Sequence, residues 1–311
     1  MTRTVNGERL FNDVAKEVLR KQLWQIADFC GVEIFTYTIL TNHFHVLVRV
    51  PQRTAIADAE LLRRYLVLYP QPTRYQTARL EVIRTQLATD GPEAVAWRRR
   101  LHALMGNLSQ FMKLLKQRFS IWFNQSHRRY GTLWSERFKS VLIESNPAVL
   151  ETIAAYIDLN CVRAGLAADP KDYRFCGYAE AVAGSVAARH GLALLAGTEK
   201  QSWPHTQADY RQLLFGSGAG PREHGGGIAT EEFQRVLQAG GQLSRAAVLR
   251  CHIRYFTDGA VLGTQTFVAT QLARYRLRAG PCTRTAPRPV PNLPAVVSLA
   301  VLRKLRTGPA P

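Results

Sequence analysis

The fold class is indicated by residues 32–50, which read VEIFTYTILTNHFHVLVRV. β-branched and aromatic residues dominate 32–40, and a similar composition returns over 43–50. Runs of this kind are typical of β-strands. Only Thr41 and Asn42 separate the two runs. So short a connection predicts an antiparallel hairpin.

Helices are predicted on both sides of this hairpin. Residues 8–31 carry apolar side chains at helical spacing, and a glycine stands at the end of the stretch. Residues 98–125 carry a long apolar stripe, which predicts a single helix. A third helix is predicted over 147–163, because Asn146 is a typical N-cap and Gly165 a typical stop.

The remaining segments complete an α+β prediction. Residues 53–97 are expected to be a helical insertion with loops, and 133–144 alternate in the manner of a strand. Residues 181–227 are rich in Gly, Ala and Ser and are expected to be a linker with a helix or two. Residues 228–311 are expected to form a basic, mostly helical accessory region, with a last short helix over 295–306.

The charge predicts a polyanionic partner. The 311 residues include 41 Lys and Arg against 23 Asp and Glu, a net charge of +18. Residues 98–139 hold ten basic residues and one acid, and residues 271–311 hold eight basic residues and no acid. Such clusters favour binding to nucleic acid or to an anionic membrane face.

Other composition features argue against secretion and membrane insertion. No apolar run approaches the roughly 18–20 residues of a membrane span. The N-terminal residues 1–13 lack the apolar segment of a signal peptide. The cysteines are odd in number and contain no C-x-x-C, which favours a reducing cytoplasm over a disulfide or zinc scaffold. They are Cys30, Cys161, Cys176, Cys251 and Cys282.

Two histidines on the second strand are candidate metal ligands. His43 and His45 flank Phe44, so strand alternation directs both imidazoles to the same face. Two imidazoles at this spacing can converge on one divalent cation. The alternative is a pair of unrelated histidines on a solvated strand.

Tyr156 and Asn160 form the second candidate feature. Their i, i+4 spacing puts them on one face of the predicted helix, beside its apolar sector. A phenol there can project into a cleft while the helix stays anchored. The alternative is a boundary tyrosine and a helix-end asparagine.

Together, the two features suit metal-assisted phosphodiester chemistry. Two imidazoles and the Asn160 amide oxygen would suit Mg²⁺ or Mn²⁺ with open coordination positions. A metal can polarise a phosphodiester oxygen, and a tyrosine hydroxyl can attack the phosphorus to give a covalent phosphotyrosine.

Three blocks in the chain resemble a known family. They read YTILTNHFHVLV over 37–48, GTLWSERFKS over 131–140 and YIDLNCVRAGL over 156–166. They are similar to the signature blocks of single-tyrosine HUH transposases of the insertion-sequence-200/605 type, with the REP-associated tyrosine transposases as the nearest branch. The resemblance covers roughly residues 1–180, which it implies to be the catalytic domain.

The resemblance implies a role for each matching residue. It implies His43, His45 and Asn160 as ligands of Mg²⁺ or Mn²⁺, and Tyr156 as the nucleophile. The implied reaction is cleavage and rejoining of single-stranded DNA, with hairpin ends, through a 5′-phosphotyrosine. The implied setting is the nucleoid in the cytoplasm, and a homodimer is left open.

The chain also departs from the family pattern. Cys161 stands where relatives usually carry proline. The implied fold is a ferredoxin-like antiparallel sheet with helices on one face. Only Met1–Arg3 remains of the segment that supplies its first strand in relatives, so we expect that strand to be missing.

Basic residues near the three blocks are predicted to bind DNA phosphates. Trp134 and Phe138 would either stack on bases or pack against the sheet, and Arg163 would either bind a phosphate or cap helix-end carbonyls. The residues predicted to bind DNA are Arg128, Arg129, Arg137, Lys139 and Arg163.

Three other functions stay open from the sequence. The first is a truncated or domesticated nucleic-acid-binding protein without catalysis, which a missing strand would favour. The second is replication or relaxase chemistry on the same kind of site. The third is a ribosome or RNA binder, which explains the charge but gives no reason for the histidine pair. The C-terminal third is either a DNA-end-recognition module or a packing extension.

Overall fold

The computed structural model describes residues 1–52, 54–69, 74–218, 259–279, 286–289 and 299–302. It has an α+β fold, as the sequence predicts. The described helices are α1 Asp13–Cys30, α2 Asp58–Leu68, α3 Arg74–Thr89, α4 Pro92–Leu104, α5 Leu108–Ser126, α6 Pro147–Asp158, α7 Asn160–Arg163, α8 Gly177–Val182, α9 Val186–Ala196, α10 Trp203–Gly218 and α11 Gln265–Ala279. The described strands are β1 Thr2–Arg3, β2 Glu33–Ile39, β3 His43–Arg49, β4 Leu142–Ile143, β5 Val261–Thr264, β6 Arg288–Pro289 and β7 Leu299–Leu302.

The predicted hairpin is present as β2 and β3. The two strands belong to a three-stranded antiparallel sheet in the order β1-β3-β2. The backbone N–H of Leu40 donates to the carbonyl of His43 at 2.8 Å, which closes the turn. The first strand, which we expected to be missing, is present over two residues: Thr2 pairs with Phe44, and Arg3 pairs with His43.

The chain divides into two compact units, each built from separate segments. One contains residues 1–8, 35–47 and 134–311, and the other contains residues 9–34 and 48–133. In the second unit, α1 packs against α2 and α5. Phe11 and Phe119 meet edge to face in its core, with ring centroids 5.4 Å apart.

The single helix predicted over 98–125 is wrong. It is divided between α4 and α5, because Gly106 adopts a left-handed conformation with φ of 55°. Asn107 then caps α5, accepting from the backbone N–H of Ser109 at 2.9 Å. The apolar stripe continues across this break, so its period alone could not reveal the division.

The strand predicted over 133–144 is also wrong for most of its length. Trp134 forms an isolated bridge with Thr4, and only Leu142–Ile143 belongs to a sheet. The available partner, β1, is only two residues long, so a longer ladder cannot form beside it.

A second sheet forms where the accessory region was predicted to be mostly helical. Its order is β4-β5-β7-β6, and β5 pairs with β7 over four residue pairs. The short helix predicted over 295–306 is therefore wrong at Leu299–Leu302, and the mostly helical region predicted over 228–311 also contains a strand at Val261–Thr264. A short apolar run fits a buried strand as well as a helix. Of that predicted region, residues 228–258, 280–285, 290–298 and 303–311 lie outside the described residues.

The stretch 181–227, expected to be a linker with a helix or two, contains helices that pack against their neighbours. The end of α8, the whole of α9 and α10 fall within it, up to Gly218. Helix α9 packs against both α8 and α10, and both α9 and α10 contact α6. These helices therefore form part of the support for α6.

Candidate active site

The histidine pair lies on one face of β3, as the alternation predicts. The ring centroids of His43 and His45 are 5.1 Å apart, with an angle of 78° between the ring planes. On the opposite face, Phe44 packs edge to face on Trp134 at 6.0 Å. The packing alternative for Trp134 is the one observed.

Hydrogen bonds fix the tautomer of His43. The Asn42 amide nitrogen donates to the Gly7 carbonyl at 2.8 Å, which orients the Asn42 oxygen toward the imidazole. That oxygen lies 2.7 Å from His43 Nδ1 and accepts its proton. The lone pair of the neutral ring is therefore on Nε2, the arrangement that a metal-binding histidine needs.

Both imidazoles are held in the neutral form. Burial, with a smaller contribution from the charge of Arg3, lowers the pKa of His43 to about 4. Burial likewise lowers the pKa of His45 far below its ordinary value, with added contributions from His43 and Arg163. Arg3 is a site residue that the sequence analysis missed, and the strand that brings it opposite His43 was expected to be absent.

The helix α6 brings a phenol to the histidine pair. Asn146 caps α6 by accepting from the backbone N–H of Ala148 at 3.0 Å. Near the other end of the helix, the buried Tyr156 ring lies edge-on to His45, with centroids 5.8 Å apart. The Arg163 guanidinium carbon lies 4.7 Å from the centre of the Tyr156 ring. His43, His45, Tyr156 and Arg163 thus form one continuous cluster.

Asn160 lies one helical turn beyond Tyr156 and is buried. Its amide nitrogen donates to the Tyr156 carbonyl at 2.8 Å, which leaves the amide oxygen as the group that can bind a cation. Two neutral imidazoles and an amide oxygen are chemically suited to a divalent cation such as Mn²⁺. Within the described ranges, no group of three or more His, Cys, Asp or Glu is placed to hold a metal.

A buried carboxylate supports the end of α6. Asp158 accepts from the Thr36 hydroxyl at 2.8 Å, from the Tyr210 hydroxyl at 2.6 Å and from the Tyr178 backbone N–H at 3.3 Å. Burial raises its pKa to about 6, against the opposing effect of these hydrogen bonds. Asp158 was not predicted from the sequence, although an acidic residue in the apolar stretch IAAYIDL is a recognisable signal.

The predicted DNA-binding residues divide between the two units. Arg137 and Lys139 are exposed in the unit that contains the histidine pair, and the Lys139 ammonium lies 3.2 Å from Glu136. Arg128 and Arg129 belong to the other unit, directly after α5. Arg163 is the one predicted phosphate ligand that directly contacts the cluster around Tyr156.

Comparisons with models of known protein families, with curated proteins and with solved structures found no match. Among the described helices, none is both long enough and apolar enough to cross a membrane.

Proposed function

We propose that this protein cleaves and rejoins single-stranded DNA through a covalent bond between Tyr156 and a 5′-phosphate. One observation carries the proposal: the Tyr156 ring lies 5.8 Å from the ring of His45, which in turn lies beside His43. A phenol and two neutral imidazoles are the groups that this chemistry requires, and they come from separate elements, α6 and β3.

The reaction exchanges one ester bond for another. The Tyr156 oxygen attacks phosphorus, forming an O–P bond as the bond from phosphorus to the 3′ oxygen breaks. The phenol loses its proton, and the departing 3′ oxygen takes one up. Attack by a 3′-hydroxyl on the phosphotyrosine reverses these changes, so rejoining needs no nucleotide cofactor.

The side chains around the phenol have separate roles. His43, His45 and Asn160 would hold Mg²⁺ or Mn²⁺, which supplies Lewis-acid polarisation of the phosphodiester when bound. The Arg163 guanidinium lies over the Tyr156 ring and limits its rotation, and its charge favours a phosphate nearby.

Basic residues outside the cluster would bind the DNA backbone. Arg137 and Lys139 carry exposed charges in the same unit as Tyr156, and Arg128 and Arg129 add charge in the other. The substrate that best fits is a single strand next to a hairpin end, in the nucleoid of the cytoplasm.

The nucleophile can be tested with a labelled single-stranded oligonucleotide and Mn²⁺. We expect wild-type protein to form an adduct that survives denaturing electrophoresis, and Tyr156→Phe to form none while binding DNA within a few-fold of wild type. Tyr130→Phe is the control, because Tyr130 is 95% exposed and lies outside the site. An adduct that persists in Tyr156→Phe would disprove the assignment.

A second candidate is a nucleic-acid-binding protein without catalysis. It is favoured by the burial of the Tyr156 side chain, which is only 2% exposed and must be reached by a phosphate before it can react. The same assay separates the two functions. DNA binding with no adduct from wild-type protein, in Mn²⁺ and with a range of hairpin-flanked strands, would establish the non-catalytic function.

A further inference from the structure

A cavity of about 390 Å³ lies wholly within the unit formed by residues 9–34 and 48–133, apart from the histidine pair. Its wall comes from the end of α1, the segment after β3, α2, and the end of α4 with the turn that follows. The described lining residues are Cys30, Gly31, Pro51, Gln52, Thr54, Ile56, Arg64, Arg99, His102, Ala103, Met105 and Gly106.

The lining is suited to an anion. Arg64 and Arg99 carry positive charge, and none of the described lining residues is acidic. The nearby Asp58 carboxylate is engaged by Arg98, with N–O distances of 2.7 and 2.6 Å. Arg99 is exposed at the cavity, so its charge is accessible to a ligand.

One arginine is fixed in position before any ligand binds. Glu60 accepts the Nε–H of Arg64 at 2.7 Å. The guanidinium lies directly over Gly31, where a Cβ would stand 2.3 Å from Nη1, and Gly31 has a φ of 62°. The left-handed φ favours glycine at position 31, and a larger residue there would force the Arg64 guanidinium to move. A guanidinium held in this way loses little entropy when it binds a phosphate.

Another part of the lining is apolar, and the cavity is larger than a phosphate needs. Pro51, Ile56 and Met105 line it together with Ala103. Its volume of about 390 Å³ falls within the usual range for sites of organic ligands. A flat, weakly polar group attached to a phosphate would pack against the apolar residues while the phosphate bound the arginines.

We propose that this cavity binds one nucleotide of single-stranded DNA, with its phosphate on Arg64 and Arg99 and its base against Ile56 and Met105. The inference deepens the proposed function, on which it rests for the nature of the strand. It adds a contact for the strand on the unit that does not contain Tyr156.

Adjacent arginines provide a matched test in the full-length protein. Both arginines are exposed on α4, but only Arg99 lines the cavity. Binding of a fluorescent single-stranded oligonucleotide would be measured for Arg99→Glu and Arg100→Glu. We expect Arg99→Glu to weaken binding about tenfold more than Arg100→Glu, as loss of a charge-assisted contact does. Equal weakening in the two variants would overturn the proposal, because both change the net charge alike.

Free ligands separate a nucleotide site from a simple anion site. In ligand-detected NMR, a deoxynucleoside 5′-monophosphate should bind wild type and Arg100→Glu but not Arg99→Glu, and deoxyribose 5-phosphate should bind more weakly. Equal binding of the two compounds would show an anion site without a base pocket, and a preference for ribonucleotides or RNA would indicate a different partner. Either result would overturn the proposal.

The test of nucleotide binding in the cavity is independent of the test of Tyr156 as the nucleophile. If the cavity does not bind nucleotides but wild-type protein still forms the Tyr156 adduct, the proposed function stands and the cavity assignment falls. If wild-type protein forms no adduct, binding of the monophosphate and its loss in Arg99→Glu still test the cavity.

Discussion

Asn42 connects the turn before β3 to the imidazole that follows it. Its amide is held by the Gly7 carbonyl at 2.8 Å and accepts from His43 at 2.7 Å. Residues that orient a ligand in this way raise metal affinity without touching the metal. Asn42 is therefore a positioning residue for the proposed cation site.

We expect Asn42→Ala to weaken Mn²⁺ binding by about tenfold or more, because His43 loses the partner that fixes its tautomer and ring orientation. Mn²⁺ titration followed by electron paramagnetic resonance would measure this change. His205→Ala is a control that removes an exposed histidine outside the cluster. Unchanged Mn²⁺ affinity in Asn42→Ala would contradict the role of Asn42.

Asp158 should make the free energy of unfolding depend on pH. Its pKa is about 6 in the folded protein and ordinarily 3.8, so folding favours the protonated form. The stabilisation from that proton is complete below about pH 4 and is lost as pH rises through 6. The loss is at most about 3 kcal/mol.

Asp158→Asn stays neutral at every pH and should remove this part of the dependence. Urea unfolding in EDTA at a series of pH values would compare it with wild type and with Asp209→Asn, a half-exposed control. If the difference between wild type and Asp158→Asn did not change between about pH 4 and pH 7, the linkage would be wrong.

Sequence patterns predicted the residues that regular spacing along one strand brings together. They missed the residues that are brought together by contacts between distant parts of the chain. Strand alternation predicted the shared face of His43 and His45, which is confirmed by the 5.1 Å between their rings. Arg3 and Asp158 were missed because their partners lie far away in the chain: Arg3 pairs with His43, and Asp158 binds Thr36.

At the scale of elements, the stability of α6 depends on the residue that caps its N-terminus, Asn146. Asn146→Ala removes the acceptor for the Ala148 N–H and should cost about 1 kcal/mol of stability. Asn146→Ser keeps a capping oxygen and should restore most of that loss. Chemical unfolding of the three proteins would test this order, and equal stability of the Ala and Ser variants would contradict it.

Elements with a strong local signal were predicted well, and elements set by distant pairing were not. The hairpin of β2 and β3 was predicted within a residue at each end, because β-branched runs and a short turn define it locally. The 133–144 strand and the 295–306 helix were wrong, since the neighbour available for pairing decides each of them. Sequence periodicity does not contain that information.

At the scale of the whole molecule, the chain crosses between its two units four times, after residues 8, 34, 47 and 133. A single cut between residues 1 and 180 therefore cannot release either unit as a contiguous piece. This arrangement was not predictable from composition, because the composition does not change at any of these four points.

The net charge of +18 predicts how the proposed DNA binding should respond to salt. Phosphate contacts release counterions, so the affinity for a single strand should fall at least about tenfold between about 50 and 200 mM salt, as three contacts would give. Fluorescence anisotropy would measure this, with an uncharged methylphosphonate strand as the control. Equal salt dependence for both strands would contradict binding through phosphates.

The end of α6 is fastened to β2 at two points, since Thr36 donates to Asp158 and Thr38 donates to the Ile157 carbonyl at 2.6 Å. The segment that carries the phenol is thus ordered by the polypeptide itself, before any strand arrives. A substrate would meet a rigid template, so little rotational entropy remains to be lost in aligning the attacking oxygen.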